Sequence, residues 1–185
     1  IGNWDVANYG NANYGTRSIE SAFAVSSNTG FAELCTEIGP DKVADMAHKC
    51  GIESDLESVP SITLGVEEVS VLEMAQAYAT IANGGTLHKA NCIEEIKDSS
   101  GQVIYHADTR GDKVLNTDLT QAAVEVMEGV VQKGTGRNAA LYNGQPVGGK
   151  TGTSEDYRDK WFCGITPQIS VAIWIGDRNE KSMPT

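Results

Sequence analysis

The order of helical and strand patterns along the chain predicts an α+β fold. Apolar residues recur at helical spacing in five segments between residues 17 and 132, whereas residues 147–176 have the pattern of short strands separated by turns. Because the helices come first and the neighbouring strands come last, we expect a helical cluster packed on an antiparallel sheet.

Three helices are predicted in the first part of the chain, after an aperiodic loop over residues 3–15. They are expected at residues 17–25, 29–38 and 41–49. The polar triplet Ser26-Ser27-Asn28 separates the first two helices, and Gly39-Pro40 separates the second from the third. Asp41 is expected to cap the third helix, and Gly51 to end it.

The second half of the chain alternates one helix, a hairpin, a second helix and three strands. Ser70 and Glu73 form a capping box that opens a helix through Ala82. A hairpin is expected over residues 92–106, with its turn at 98–101. A helix over residues 118–132 ends at Gly134-Thr135-Gly136, and strands follow at 147–153, 161–166 and 170–176. The apolar residues expected to face inward on the longer helix are Leu119, Ala123, Val126, Met127 and Val130.

Composition narrows the possible partners and compartments. The 185 residues, 40% of them hydrophobic, are enough to bury the core of one domain. The net charge of −11 is dispersed, and a basic stripe of the kind that binds nucleic acid is missing, so nucleic acid is excluded as a partner. No apolar run approaches the roughly 18 residues of a membrane helix, and residues 1–14 do not resemble a signal peptide. Because the chain does not open with Met, we expect it to be a piece of a longer protein.

The cysteines and histidines do not form a metal-binding pattern. Cys35, Cys50, Cys92 and Cys163 have no CxxC spacing, and the three histidines are scattered. We therefore predict no metal site. Composition leaves open whether the cysteines are free thiols of a cytosolic protein or two disulfides of an exported one.

Two short motifs carry the chemistry. The string Lys150-Thr151-Gly152-Thr153 lies on a predicted strand, and Ser26-Ser27-Asn28 lies between two predicted helices. Either motif alone arises by chance in many proteins. Together, in this order and on these elements, they match the K-T-G and S-x-N motifs of penicillin-recognising serine enzymes.

The flanking sequence resembles the C-terminal part of the transpeptidase domain of class A, bifunctional penicillin-binding proteins. The resemblance is carried by residues 14–28, 60–85, 149–153 and 159–176, and it covers nearly the whole chain from Tyr14 to Asp177. It implies a fold like that of penicillin-binding proteins and serine β-lactamases, here lacking its N-terminal portion. Within it, residues 1–15 would be a loop, residues 16–140 the mainly helical part, and residues 141–177 the strands of the sheet.

The family implies a D,D-transpeptidase that crosslinks peptidoglycan stem peptides through a serine acyl-enzyme and is the target of β-lactams. It uses no cofactor. Its partners would be a stem peptide ending in D-Ala-D-Ala, β-lactam antibiotics and the rest of the parent chain. The parent would lie on the outer face of the cytoplasmic membrane, anchored by a segment that is not in this sequence.

The resemblance also assigns roles at the two motifs. Ser26 would relay a proton between the nucleophile and the leaving amine, while Asn28 would hold the substrate amide and orient the catalytic lysine. Lys150 would add positive charge and pair with the helical side that carries Ser26.

The remaining residues of the K-T-G strand would bind substrate. On a strand, Thr151 and Thr153 share one face and Lys150 points to the other. The two hydroxyls suit a carboxylate, and the backbone N–H of Thr153 would stabilise an oxyanion. Gly152 lets the strand and the helices approach closely.

One departure from the family pattern is large. No serine in the chain precedes a lysine by three positions, so the S-x-x-K nucleophile is missing. In the family the nucleophile precedes S-x-N by tens of residues, and it is therefore expected upstream of Ile1. The chain by itself is predicted to be inactive.

An extracytoplasmic location implies oxidised cysteines. We therefore expect two disulfides, with Cys35–Cys50 connecting the helices on either side of Gly39-Pro40 and Cys92–Cys163 joining the hairpin to the sheet.

Several alternatives stay open at this stage. Water could replace the amine acceptor, as in a D,D-carboxypeptidase or a β-lactamase, or the domain could be a non-catalytic sensor of β-lactams or peptidoglycan. The sequences at 73–85 and 161–167 favour the crosslinking branch. Gly134-Thr135-Gly136 is either a helix terminator or a loop near the rim of the active site, and Tyr157 and Arg158 either touch substrate or form a surface turn.

Overall fold

The computed structural model describes residues 4–179 and 181–183 and confirms the α+β architecture. Its α-helices are Ile19–Ala24 (α1), Asn28–Ile38 (α2), Pro40–Cys50 (α3), Val71–Ala82 (α4) and Thr117–Lys133 (α5). Its strands are Thr86–Leu87 (β1), Glu95–Lys97 (β2), Val103–His106 (β3), Asp112–Lys113 (β4), Gly148–Thr153 (β5), Asp159–Ile165 (β6) and Ser170–Gly176 (β7). Short 3-10 helices lie at Tyr9–Asn11, Pro60–Leu64, Arg137–Ala139 and Glu155–Tyr157. Over the described residues, no helix is both long enough and apolar enough to cross a membrane.

The main sheet is antiparallel, with the strand order β5-β6-β7. The register pairs Lys150 with Cys163 and Thr151 with Phe162. Helix α5 packs on β5, and helix α4 packs on β6 and β7. Within the described residues β5 is therefore an edge strand of this sheet, next to the helices that precede it in the sequence.

The helix ends follow local sequence signals, with one correction. The capping box of α4 is present, since Ser70 Oγ accepts a hydrogen bond from Glu73 N–H and the Glu73 carboxylate accepts one from Ser70 N–H. Gly51 ends α3 in the left-handed conformation, as expected. The prediction that Asp41 caps α3 is wrong, because the helix begins one residue earlier at Pro40, whose fixed φ suits the first helical position.

The core under the main sheet is formed by the C-terminal half of α5. Val130 is fully buried, and Met127, Val131 and Ile165 are nearly so. The prediction that Leu119 faces inward is wrong, because this residue lies in the first turn of α5 and is 54% exposed. A second cluster joins α3 to α4 through Cys50, Ile52 and Ala77.

The predicted hairpin is present but shorter than expected, since its first strand begins at Glu95 rather than at Cys92. All residues of β2 and β3 are exposed. The pairing of β1 with β4 was not predicted, because two residues a side show no periodicity.

Neither predicted disulfide is present, and all four cysteines are free thiols. Cys50 packs in the cluster between α3 and α4, and Cys163 is buried in β6. Cys92 is exposed in the loop before β2. The pairing failed because placing two cysteines on neighbouring predicted elements does not direct their thiols at each other.

Candidate active site

The turn between α1 and α2 places Ser26 in an unusual backbone conformation. Val25 ends α1, and Ser27 caps α2 by accepting a hydrogen bond from the Gly30 N–H at 3.3 Å. Ser26 lies between these caps with φ at 57°, in the left-handed region that non-glycine residues rarely adopt. Such strain is tolerated where the surrounding structure requires the side chain at one position, and it is concentrated at functional sites.

Ser26 and Lys150 meet although they are 124 residues apart in the sequence. Lys150 Nζ donates to Ser26 Oγ at 2.8 Å and to the Thr151 carbonyl at 2.8 Å. It also lies 5.7 Å from the centre of the Phe23 ring. The ammonium group thus joins the turn after α1 to the edge strand β5.

Burial lowers the pKa of Lys150 from 10.5 to about 8, because the charged form loses hydration. Among the described residues, no ion pair neutralises this ammonium group. The site therefore carries a positive charge at neutral pH that is available to an anionic ligand.

Thr151 has a hydroxyl partner that the sequence analysis did not identify. Its Oγ1 lies 2.6 Å from Thr135 Oγ1. The Thr135 N–H donates to the Ala24 carbonyl at 3.1 Å, which holds the turn after α5 against the end of α1. Thr153 lies two positions further along β5 and is exposed.

Asn28 is not hydrogen-bonded to Lys150 in this structure. Its Nδ2 donates to the Ala7 carbonyl at 3.0 Å, and the neighbouring Thr29 N–H donates to Asn8 Oδ1 at 3.2 Å. The segment before α1, predicted only as a loop, therefore packs along the start of α2. An asparagine-rich segment without periodicity gives no sequence signal for such a contact.

The same segment reaches the turn after β5. The hydroxyls of Tyr9 and Tyr157 are hydrogen-bonded to each other, and Tyr157 has φ at 54°. The two tyrosines connect the strand that carries Thr153 to the segment that holds Asn28. The structure thus brings Ser26, Lys150 and Thr151 together directly, while Asn28 and Thr153 line the surrounding surface.

The chemistry of the site rests on hydroxyl and ammonium groups. Over the described residues, no group of three or more His, Cys, Asp or Glu side chains could hold a metal ion. A half-buried lysine that is hydrogen-bonded to a serine hydroxyl, on the same strand as two threonine hydroxyls, can bind an anion and transfer a proton.

A family model and known proteins agree with this arrangement. The model for the penicillin binding protein transpeptidase domain matches residues 1–183. Penicillin-binding protein 1A of Aquifex aeolicus is 34% identical over 180 residues, which are 97% of this chain and 24% of that protein. Penicillin-binding protein 4 of Bacillus subtilis is 30% identical over 182 residues, which are 96% of this chain and 28% of that protein.

Solved structures share the fold. The PonA1 protein of Mycobacterium tuberculosis in complex with penicillin V has a TM-score of 0.88 at 29% identity, over 95% of this chain and 52% of that one. The D,D-transpeptidase domain of a peptidoglycan glycosyltransferase from Eggerthella lenta has a TM-score of 0.81 at 28% identity, over 98% of this chain and 54% of that one. The chain thus spans about a quarter of the curated relatives and about half of the solved chains. With the family model matched over almost its full length, the chain belongs to the penicillin-binding protein transpeptidase family.

Proposed function

We propose that this chain forms the S-x-N and K-T-G part of a serine D,D-transpeptidase that crosslinks peptidoglycan stem peptides and is acylated by β-lactams. The observation that carries the proposal is the 2.8 Å hydrogen bond from Lys150 Nζ to Ser26 Oγ. It joins the two motifs into one site across the fold. The bound penicillin of the Mycobacterium tuberculosis neighbour is consistent with such a site.

The hydrogen bond sets the direction of proton transfer at Ser26. Because the ammonium group of Lys150 donates to Ser26 Oγ, the hydroxyl hydrogen of Ser26 is free to be donated to the leaving amine. A pKa of about 8 leaves Lys150 mostly charged at pH 7 but able to release a proton without a large cost. Ser26 and Lys150 would act as the proton relay, with Asn28 reorienting toward the substrate amide.

The K-T-G strand would bind the carboxylate of the substrate. The hydroxyls of Thr151 and Thr153 would donate to the terminal D-Ala carboxylate, or to the acid group of a β-lactam, within the positive field of Lys150. Gly152 has no side chain, so the ligand and neighbouring groups can approach the backbone of the strand closely between the two threonines. The Thr153 N–H would stabilise the oxyanion of the tetrahedral intermediate.

The acylating serine would come from outside this sequence. None of the nine lysines has a serine three positions before it. We place the nucleophile in a preceding segment of the parent protein, on the outer face of the cytoplasmic membrane, where stem peptides are crosslinked. Formation of the acyl-enzyme would then join that serine to the D-Ala carbonyl and release the terminal D-Ala as an amine.

The proposal is tested by acylation of the parent protein with benzylpenicillin. Lys150→Ala and Thr153→Val should each slow acylation by about tenfold or more, since each removes a charge-assisted contact of roughly 1.5–3 kcal/mol. Lys89→Ala is the control, because Lys89 is an exposed lysine paired with Glu53. Rates within threefold of the parent for both site variants would place the site on a different strand.

Product analysis separates transpeptidation from hydrolysis. A donor stem peptide supplied with an amine acceptor should yield crosslinked product. Exclusive release of the hydrolysed donor would identify a carboxypeptidase, and turnover of benzylpenicillin would identify a β-lactamase.

A further inference from the structure

We propose that Thr135 is a positioning residue for the carboxylate-binding hydroxyl of Thr151. The inference rests on the proposed function and extends it to a residue outside the two motifs. Its basis is the 2.6 Å contact between Thr135 Oγ1 and Thr151 Oγ1, which joins the end of α5 to β5.

The turn that carries Thr135 is shaped for this contact. The Gly134 and Gly136 N–H groups both donate to the Val130 carbonyl, at 3.1 and 3.0 Å, which closes the turn on the end of α5. A Cβ at Gly134 would lie 2.2 Å from the Ala24 carbonyl oxygen, so only glycine allows this approach to α1. A Cβ at Gly136 would lie 3.1 Å from Val130 Cγ1, so this position is also tightly packed. The two glycines and the bond from Thr135 N–H to the Ala24 carbonyl leave the Thr135 side chain facing Thr151.

The contact between the two hydroxyls determines the direction in which Thr151 can donate its hydrogen bond. A threonine hydroxyl has one hydrogen to donate and two lone pairs. An ionised carboxylate can only accept hydrogen bonds. To bind it, the Thr151 hydroxyl must donate its single hydrogen to the ligand, and its own oxygen can then accept a hydrogen bond from another donor. Thr135 can supply that hydrogen, which orients the Thr151 hydroxyl toward the ligand and strengthens its donation through cooperative polarisation.

The side chain of Lys150 also holds Thr151, through the backbone carbonyl of that residue. Its Nζ donates to the Thr151 carbonyl at 2.8 Å, so the side chain and the main chain of Thr151 are both fixed. Thr135 itself is exposed and is not part of the buried core. Removing its hydroxyl should therefore change the site rather than the fold.

The test measures acylation of the parent protein by benzylpenicillin and by its methyl ester. Thr135→Val keeps the shape of the side chain and removes the hydroxyl, while Thr135→Ser keeps the hydroxyl. We expect Thr135→Val to slow acylation by the acid about fivefold to tenfold, in line with one hydrogen bond that orients a charged contact. The ester should be affected less than twofold, and Thr135→Ser should restore the parent rate.

A double-mutant cycle separates this proposal from the proposed function. Thr151→Val should slow acylation by the acid, and adding Thr135→Val to it should have no further effect. Equal slowing of acid and ester by Thr135→Val, or full additivity with Thr151→Val, would overturn the positioning role while leaving the proposed function in place. If Thr151→Val itself leaves the rate unchanged, the carboxylate site is misassigned and both proposals fail.

Discussion

Ser26 adopts a strained backbone conformation that places its hydroxyl against Lys150. Its φ of 57° puts a side chain where glycine would be more stable, and the hydroxyl held there accepts the hydrogen bond from Lys150. For an L-residue the left-handed conformation costs about 1–2 kcal/mol, which glycine does not pay. The strain is thus tied to the position of the Lys150 contact.

Replacing Ser26 tests whether its positive φ destabilises the folded protein. Ser26→Gly should be more stable to urea than Ser26→Ala by about 1 kcal/mol, because only glycine relieves the positive φ. Both variants lose the hydroxyl and should lose acylation in the parent protein to a similar extent. Equal stabilities of the two variants would mean that the turn relaxes and holds no strain.

Lys150 makes stability depend on pH. Its pKa is about 8 in the folded protein and about 10.5 when unfolded. Between these values the unfolded chain binds more protons, so the contribution of Lys150 to stability rises with pH and is lowest below pH 8.

The matched variant is Lys150→Met, which keeps most of the length of the side chain and cannot be charged. Its stability relative to the original protein should be highest near pH 7 and should decline as the pH is raised from 8 to 10. Urea denaturation of both proteins at each pH cancels the titration of the cysteines and tyrosines that they share. A difference that stays constant from pH 7 to pH 10 would contradict a lowered pKa.

At the scale of elements, Glu73 connects α4 to the segment after α3. One carboxylate oxygen accepts from Glu53 N–H at 2.9 Å and from Ser54 N–H at 2.7 Å, and the other accepts from Ser70 N–H at 2.9 Å. Hydrogen bonds with the side chain and the backbone N–H of Ser70, and then with the side chain and the backbone N–H of Ser54, lower the pKa of Glu73 from 4.5 to about 2. Glu73 therefore both completes the capping box of α4 and forms tertiary hydrogen bonds with the segment after α3.

Glu73→Gln should lower the free energy of unfolding by about 1–2 kcal/mol at pH 7, since a neutral amide accepts fewer and weaker hydrogen bonds. The lowered pKa means that this stabilisation is complete above pH 4.5 and is lost as the pH falls toward 2. Denaturation curves at pH 7 and pH 3 measure the change. Glu57→Gln, an exposed residue nearby, should have no effect at either pH, and a Glu73→Gln variant as stable as this control would refute the role.

At the scale of the whole molecule, the sheet leaves an apolar surface uncovered. Val171, Ile173 and Ile175 alternate along β7 and are 40%, 48% and 58% exposed. Such alternation places all three on one face of the strand.

The chain by itself should not be labelled by a fluorescent penicillin. An acyl-enzyme needs a nucleophile within hydrogen-bond reach of its base, and neither the serine nor the lysine of an S-x-x-K motif is present. The measurement is gel fluorescence after denaturation, with the parent protein as the positive control. A stable label mapped by mass spectrometry to Ser26 would show that this serine is the nucleophile.

The sequence by itself determined the features that depend on neighbours along the chain. The five helices, the capping box at Ser70, the end of α3 at Gly51 and the order of the last three strands all rest on propensity, caps and turns within a few residues. The two motifs could also be identified, because each is a short string of consecutive residues.

Only the tertiary structure decided the contacts that the two motifs do not specify. The resemblance leads us to expect Lys150 on the side of Ser26, and the structure adds the 2.8 Å hydrogen bond between them. The contact of Thr135 with Thr151, which joins a helix end to a strand, has no signal in the sequence. The two predicted disulfides and the predicted inward position of Leu119 are wrong, because both depend on packing between distant elements. The packing of α1, α4 and α5 against one another and on the sheet determines which side chains are buried and which residues bury them. Periodicity within one element predicts only which residues share a face, and it does not identify the neighbouring element.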